Sequence, residues 1–327
     1  MRLDPITGRK VLIAEDRAGR PNDFVSAEVV QPTGAASCPF CVGHERETPR
    51  PLLEILDEQG DWQLRVIPNK FPVVSSGADS QKEKSSGLFT VQAALGAHEV
   101  IIESPRHFQD FTDLSLEQLT SVLLVYRDRL RHWSVEGRIR HVTVFKNVGY
   151  AAGASLEHVH SQLLALPFVP DVIGEEMQCA VAYYEREQEC IFCRLLREEF
   201  ASGQRLVCRE GGFAAICAYA GRQPFETWVL PEPHAPSFTE LTNDEAKSLA
   251  VLLRQLLRKL QTQLKPLSYN LLLHTAPFGE AKSSCYHWHL EIVPRTAQLA
   301  GLEWGSGLLV SSLAPERAAK LLREADG

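Results

Sequence analysis

The stretch Ser155–Pro167 reads SLEHVHSQLLALP, with His158, His160 and Gln162 at alternating positions ahead of an apolar run. On a β-strand, side chains two apart share a face, so the spacing predicts that these three point the same way. An unperturbed imidazole has a pKa of about 6.5 and is mostly neutral and nucleophilic at pH 7. A glutamine amide donates N–H to an oxyanion without itself titrating. Just upstream, NVGYAAGAS (Asn147–Ser155) carries two glycines among small residues, which permits close backbone approach to a bulky anion. A nucleophile, a neutral donor and a small-residue loop suggest transfer of a phosphorus-containing group through a covalent intermediate on His160. The competing reading is a satisfied core histidine on an amphipathic strand.

Eight cysteines are present, and four form two CxxC pairs: Cys38/Cys41 in SCPFCVG and Cys190/Cys193 in ECIFCRL. A CxxC pair lets two thiolates bite one metal, and zinc then needs two more ligands. Each pair is followed by two histidines at matched spacing. His107 and His158 lie 51 residues apart, and His234 and His287 lie 53 apart. The expected ligand sets are therefore Cys38, Cys41, His107, His158 and Cys190, Cys193, His234, His287, one zinc each. Four protein ligands leave no open position, so both zincs would be structural. A zinc on His158 would fix the strand and present His160 rigidly. The alternatives are incidental thiol pairs or a redox CxxC. A redox motif should open a helix after a strand, whereas SCPFCVGHE sits in a Gly/Pro-bounded loop. Cys179, Cys208, Cys217 and Cys285 read as small packing residues.

The elements that must position these groups form an internal repeat. HEVIIESPRHFQDFTDLSLEQL and FETWVLPEPHAPSFTELTNDEA each show a β-type run, Pro, His, and Phe-Thr-acid-Leu four residues beyond the histidine (His107 to Phe111, His234 to Phe238). Each continues into a helical pattern, with Leu116, Leu119, Leu123 and Leu130 in one and Leu249, Leu252, Leu253, Leu256 and Leu260 in the other. Ser115 and Thr242 or Asn243 are the expected N-caps. RHVTVFKNVG and SYNLLLHTAP then read as strands, and each copy closes on a His-x-His strand. The fold class is α+β: two halves, each an antiparallel β-sheet with packed helices, divided as residues 1–175 and 176–327 with the join near 170–185. Residues 75–87 read as a loop, and the first forty residues lie outside the repeat. In the second copy Glu291 replaces the glutamine and the glycine loop is missing. A carboxylate would repel a phosphate, so that half is expected to keep its metal and to have lost catalysis.

Of the 327 residues, 44% are hydrophobic and 23% charged, with a net charge of −7 and no long basic stretch. That argues against nucleic acid as a partner. No window offers the ~20 apolar residues needed to span a bilayer, and the first residues lack the apolar core of a signal peptide. The reading is a cytoplasmic protein with no membrane partner.

These residues resemble the histidine-triad superfamily in its galactose-1-phosphate uridylyltransferase branch, over nearly the whole chain. RLDPITGRKVLIAEDRAGRP is similar to that family's opening, CPFCVGHE to its zinc turn and VIPNKFP to its nucleotide-contact strand. ESPRH is similar to its third zinc-ligand segment, and NVGYAAGASLEHVHSQ to its active-site segment. The resemblance implies that His160 attacks the α-phosphorus and becomes nucleotidylated, with Gln162 and Ser155 on the phosphates. It implies Asn69, Phe71, Asn147 and Gly153 on the nucleoside side, and Arg17 and Arg20 reaching the phosphates from a neighbouring subunit. It also implies a homodimer, with a nucleotide sugar and a hexose 1-phosphate as substrates in ping-pong exchange. Galactose-1-phosphate uridylyltransferase is the leading expectation. Ala154 stands where the family often has cysteine. GLEWGSGLLVSS (301–312) and the retained second CxxC look more like a relative acting as an ADP-glucose phosphorylase. A non-catalytic zinc-stapled nucleotide-binding module is the alternative of a different class.

Overall fold

The structure is a computed structural model that describes residues 1–15, 34–75, 84–279 and 283–326. The first copy of the repeat supplies β3 (Leu53–Leu56), β4 (Trp62–Pro68), β7 (Ala97–Ile102), α1 (Leu116–Ser134), β8 (His141–Val148) and β9 (His160–Leu166). It is preceded by β1 (Arg2–Leu3) and β2 (Lys10–Ile13) and interrupted by the hairpin β5 (Lys84–Ser86) and β6 (Phe89–Val91). Two helices follow, α2 (Asp171–Glu187), which spans the expected join, and α3 (Ile191–Ser202). The second copy supplies β10 (Leu206–Glu210), β11 (Phe213–Cys217), β12 (Thr227–Pro231), α4 (Asn243–Gln263), β13 (Tyr269–His274) and β14 (His289–Pro294). The chain closes with α5 (Gly301–Ser306), β15 (Leu309–Ser311) and α6 (Pro315–Glu324).

The α+β class and the repeat are both present, but the two half-sheets are continuous. One ten-stranded antiparallel sheet runs β10-β11-β12-β14-β13-β8-β9-β7-β4-β3. Its centre is the β13–β8 pair, in register from Tyr269↔Val148 to Leu273↔Val144. Read outward from that pair, the two strand orders match: β8-β9-β7-β4-β3 and β13-β14-β12-β11-β10. The N-terminal strands join a separate small sheet, β1-β2-β15, in which β2 runs parallel to β15.

One face of the large sheet carries α1, α4 and α6 over a single apolar core that unites both halves, from Leu64, Ile101 and Leu163 to Leu271, Leu290 and Leu322. The helices start where their caps place them. Ser115 Oγ accepts from Gln118 N at 3.1 Å. Thr242 and Glu245 form a reciprocal capping box, so Thr242 and not Asn243 is the cap. The apolar stripe of α4, including Leu249, Leu252, Leu253, Leu256 and Leu260, is wholly buried.

The other face differs between the halves. Over the second half, α2 presents Met177 and Ala180 and α3 presents Ile191, Phe192 and Leu196. They pack onto Ala214, Ile216, Trp228 and Leu230 of the sheet. Over the first half that face carries, among the described residues, a small cluster of Ile67, Val100 and Ile102 with Phe40 and Trp62. The sequence-predicted catalytic strand lies there. Among the described residues no helix is long and apolar enough to cross a membrane.

Candidate active site

β9 begins at His160, so His158 is placed by the loop ahead of the strand and not by the strand itself. Both rings still meet Phe40, at 6.0 Å for His158 and 5.3 Å for His160. The ring of His160 is set by its own backbone. Its Nδ1 lies 2.7 Å from the carbonyl oxygen of His158. A carbonyl only accepts, so Nδ1 carries the proton and Nε2 keeps its lone pair. Burial, with Lys146 and His158 adding to it, pulls the His160 pKa down to about 4 although the His158 carbonyl opposes the shift. The imidazole is therefore neutral at pH 7, as a nucleophile requires.

Gln162 is oriented by a residue that the sequence reading missed. Val73 N donates to His98 Nδ1 at 3.3 Å, so the ring's single N–H is on Nε2. That nitrogen lies 2.9 Å from Gln162 Oε1. With its oxygen held, the glutamine is left with its amide N–H groups to offer. Asn69 Nδ2 lies 3.1 Å from the same His98 nitrogen, and Asn69 Oδ1 accepts from Phe71 N at 2.8 Å. No sequence spacing announces His98, because it reaches Gln162 across the β7–β9 pairing, where Val100 is opposite Gln162.

The glycine loop takes a positive φ at both of its glycines. Gly149 and Gly153 have φ of +79° and +82°, where side chains are strained. A Cβ on Gly149 would also meet Ser268 Oγ, whereas nothing lies within 4 Å of one on Gly153. Asn270 Nδ2 donates to Asn147 Oδ1 at 2.8 Å and to the Ala152 carbonyl at 2.9 Å, tying the loop to β13. A cavity of about 1310 Å³ is lined by Asn147, Gly149, Ser155, His158 and His160, with Lys265 and Arg295 from the second half. Gln162, Asn69, Phe71 and Gly153 are not among its lining residues. Phe71 is 80% exposed. Arg17 and Arg20 lie outside the described residues.

The two Cys/His sets converge as spaced. Cys38, Cys41, His107 and His158 bring one ligand atom each to within 4.8 Å of one another, as do Cys190, Cys193, His234 and His287. In both, a carbonyl selects the ligand atom. His158 Nε2 donates to Ser104 O at 2.8 Å and His287 Nε2 to Pro231 O at 2.9 Å. Each Nδ1 is thereby left free, 3.4 Å from Cys38 Sγ and 3.5 Å from Cys193 Sγ respectively. This arrangement is how proteins orient a metal-ligating histidine. Two sulfurs and two imidazole nitrogens suit a tetrahedral zinc. The second pair does open a helix: Cys190 is the N-cap of α3. It follows a helix rather than a strand, and it faces two histidines.

In the second half the counterpart of His160 is His289. It too holds Nδ1 near a carbonyl, that of His287 at 3.2 Å. Its ring stacks on Trp228 at 5.1 Å and packs against Phe192. It is wholly buried, and among the described residues Nε2 has no hydrogen-bond partner. Glu291 is held by Arg222, which also bonds Glu226 at 2.9 Å. His274 spans Glu176 at 2.9 Å and Glu291 at 3.6 Å.

Comparison with known proteins settles the family. Residues 1–170 match the model for the galactose-1-phosphate uridyl transferase N-terminal domain, and residues 176–326 match that for its C-terminal domain. The chain belongs to this family. Its relatives are nucleotidyl-transferring enzymes. ADP-glucose phosphorylase of Arabidopsis thaliana is 34% identical over 99% of this chain and 92% of its own length. Galactose-1-phosphate uridylyltransferase of Thermotoga maritima is 27% identical over 100% of this chain and 98% of its own. Among solved structures, the Arabidopsis ADP-glucose phosphorylase with bound ADP-glucose aligns with a TM-score of 0.87 at 32% identity, covering 100% of this chain and 99% of that one. A uridylyltransferase aligns with a TM-score of 0.77 at 29% identity, covering 98% and 96%.

Proposed function

We propose that this chain transfers a nucleoside monophosphate from a nucleotide sugar through His160, with ADP-glucose as donor and inorganic phosphate as acceptor. The observation that carries the mechanism is the pairing of an unprotonated His160 Nε2 with a Gln162 amide whose oxygen is already engaged. Nε2 attacks the α-phosphorus. A P–N bond forms as the bond to the bridging oxygen breaks, and the electron pair leaves with the sugar phosphate. A phosphate oxygen then attacks the same phosphorus, and the P–N pair returns to Nε2. The departing sugar phosphate needs little proton donation, so a neutral amide suffices where a third histidine would serve water. Gln162 and Ser155 bind the phosphate oxygens, and Asn147 and the Gly149–Gly153 loop accommodate the nucleotide.

Greater identity to the phosphorylase than to the uridylyltransferase (34% against 27%) favours the adenylyl donor over the uridylyl one that the sequence motifs put first. The retained Cys190/Cys193 pair favours it as well. Each Cys/His set would hold one structural zinc, fixing His158 and His287 in place. The native protein acts as a homodimer in which Arg17 and Arg20 serve a neighbouring subunit, and residues 1–175 and 176–327 are its two units. Product analysis tests the donor. ADP-glucose with phosphate should yield ADP and glucose 1-phosphate faster than UDP-glucose with galactose 1-phosphate yields UDP-galactose. The reverse order would assign the uridylyl activity.

A further inference from the structure

A buried polar network lies under the nucleophile, on the helix face of the sheet. Lys146 Nζ donates to Glu103 Oε2 at 2.5 Å and to the carbonyl oxygen of His160 at 2.9 Å. Both charged side chains are buried, at 1% and 0% exposure. Glu103 Oε1 accepts from Tyr126 at 3.0 Å and from Ser161 at 2.5 Å. At three of these four positions the second half carries leucine. Matched through His160 and His289, and through the caps Ser115 and Thr242, Lys146, Ser161 and Tyr126 correspond to Leu273, Leu290 and Leu253, all buried in the shared core. Burying an ion pair costs several kcal/mol per ion, and apolar side chains of similar volume usually serve stability as well or better. The packing therefore does not demand Lys146 and Glu103.

The strand ladders show what the network does. The β13–β14 ladder extends to His274↔His289, so that histidine is held on its β13 side, whereas His160 is held on its opposite side by pairing with Ile102 of β7. The β8–β9 ladder stops at Phe145↔Gln162, two residues short of His160, leaving the β8 side of that histidine unpaired. Lys146 takes the His160 carbonyl just beyond that point.

We propose that Lys146, held by Glu103, is a positioning residue that clamps the main chain of His160 where β9 leaves its ladder with β8, keeping Nε2 aligned while the P–N bond forms and breaks. This rests on the covalent reading above. The test is the rate of nucleotidyl-His160 formation, followed by quenched-flow intact mass with ADP-glucose or UDP-glucose on the zinc-replete protein. The paired variant Lys146→Met/Glu103→Gln removes both charges together, so no lone ion stays buried. Its adduct rate at saturating donor should fall roughly 10- to 100-fold, the scale of an ångström-level misplacement. Its half-saturating concentration and thermal midpoint should stay close to native.

Tyr126→Phe and Ser161→Ala loosen Glu103 without changing charge, and they decide the matter if the paired variant does not fold. Each should slow the adduct several-fold at unchanged half-saturation. Native adduct rates in these variants, with only the thermal midpoint lowered, would make the network purely structural and overturn the proposal. If the native protein itself forms no adduct with either donor, the covalent reading falls, and the clamp with it.

Discussion

The two halves of this molecule start from the same repeat and end with opposite surfaces. In each, a Cys/His cluster fixes the first histidine of a His-x-His segment, and the second histidine turns Nδ1 toward its neighbour's carbonyl. Over the first half, no helix among the described residues covers the far face of the sheet, and this is the face on which the proposed mechanism places the substrate. Over the second half α2 and α3 cover it, and His289 is walled in by Trp228 and Phe192. The position of Gln162 has become Glu291, held by Arg222. The guanidinium supplies the positive charge that the buried acids there require. On the proposed mechanism a histidine in the right tautomer is thus not enough: the chemistry also asks for an accessible face and a neutral donor beside it.

The comparison breaks most sharply at the paired histidines. His160→Ala should lower turnover on the order of 10⁴-fold or more, whereas His289→Ala should leave it within about 2-fold and lower the denaturation midpoint by opening a cavity. Equal losses of turnover, with both variants folded, would mean that the second half takes part in catalysis. The metal clusters come next. Elemental analysis should find about two zincs per native chain and about one in Cys38→Ser or Cys190→Ser. Cys38→Ser should cost activity roughly 100-fold, on the scale of losing metal support around a site, while Cys190→Ser should mainly cost stability.

Arg222→Met removes the guanidinium that Glu291 and Glu226 share, leaving Glu291 with His274 alone among the described residues. It should destabilise by about 3–5 kcal/mol in urea while sparing the adduct. His98→Phe frees the Gln162 amide to rotate and should lower kcat about 10-fold, with little change in stability.

The smallest effect is in pH. Burial alone would pull His274 down, but Glu176 and Glu291 hold it up at about 9. Its contribution to stability is complete below the unfolded value of about 6.5 and is lost as pH rises through about 9. Burial would raise Glu291, but Arg222 and His274 hold it down at about 2. Its contribution is present at neutral pH and lost as pH falls toward about 2. Urea midpoints across pH should show the alkaline limb in the native protein and a flattened one in His274→Asn.

Local patterns were legible because they are local. The repeat, the long amphipathic helices, the caps Ser115 and Thr242, and the strand carrying His160 and Gln162 all follow from spacing and residue type. So do the two Cys/His sets, since matched intervals repeat. What escaped depends on which distant segments meet. The fusion of two half-sheets through β8 and β13 leaves no trace in either sequence. Helices α2 and α3 went unread, because the first lies at the join between the halves, and which half they cover depends on a distant sheet face. His98 and Lys146 act through neighbouring strands, and a lone histidine or lysine in a strand looks like any other. The expectation that His158 shares the strand of His160 failed because the strand starts two residues later, at His160, leaving His158 to be set by the Ser104 carbonyl.

The most direct measurement is intact-protein mass after incubation with ADP-glucose, and separately UDP-glucose, with no acceptor present. It should be made on the native protein, His160→Ala and His289→Ala. The account predicts one nucleoside-monophosphate increment per chain in the native protein and in His289→Ala, larger in yield from ADP-glucose, and none in His160→Ala. An increment that survives in His160→Ala, or that disappears in a folded His289→Ala, would contradict it.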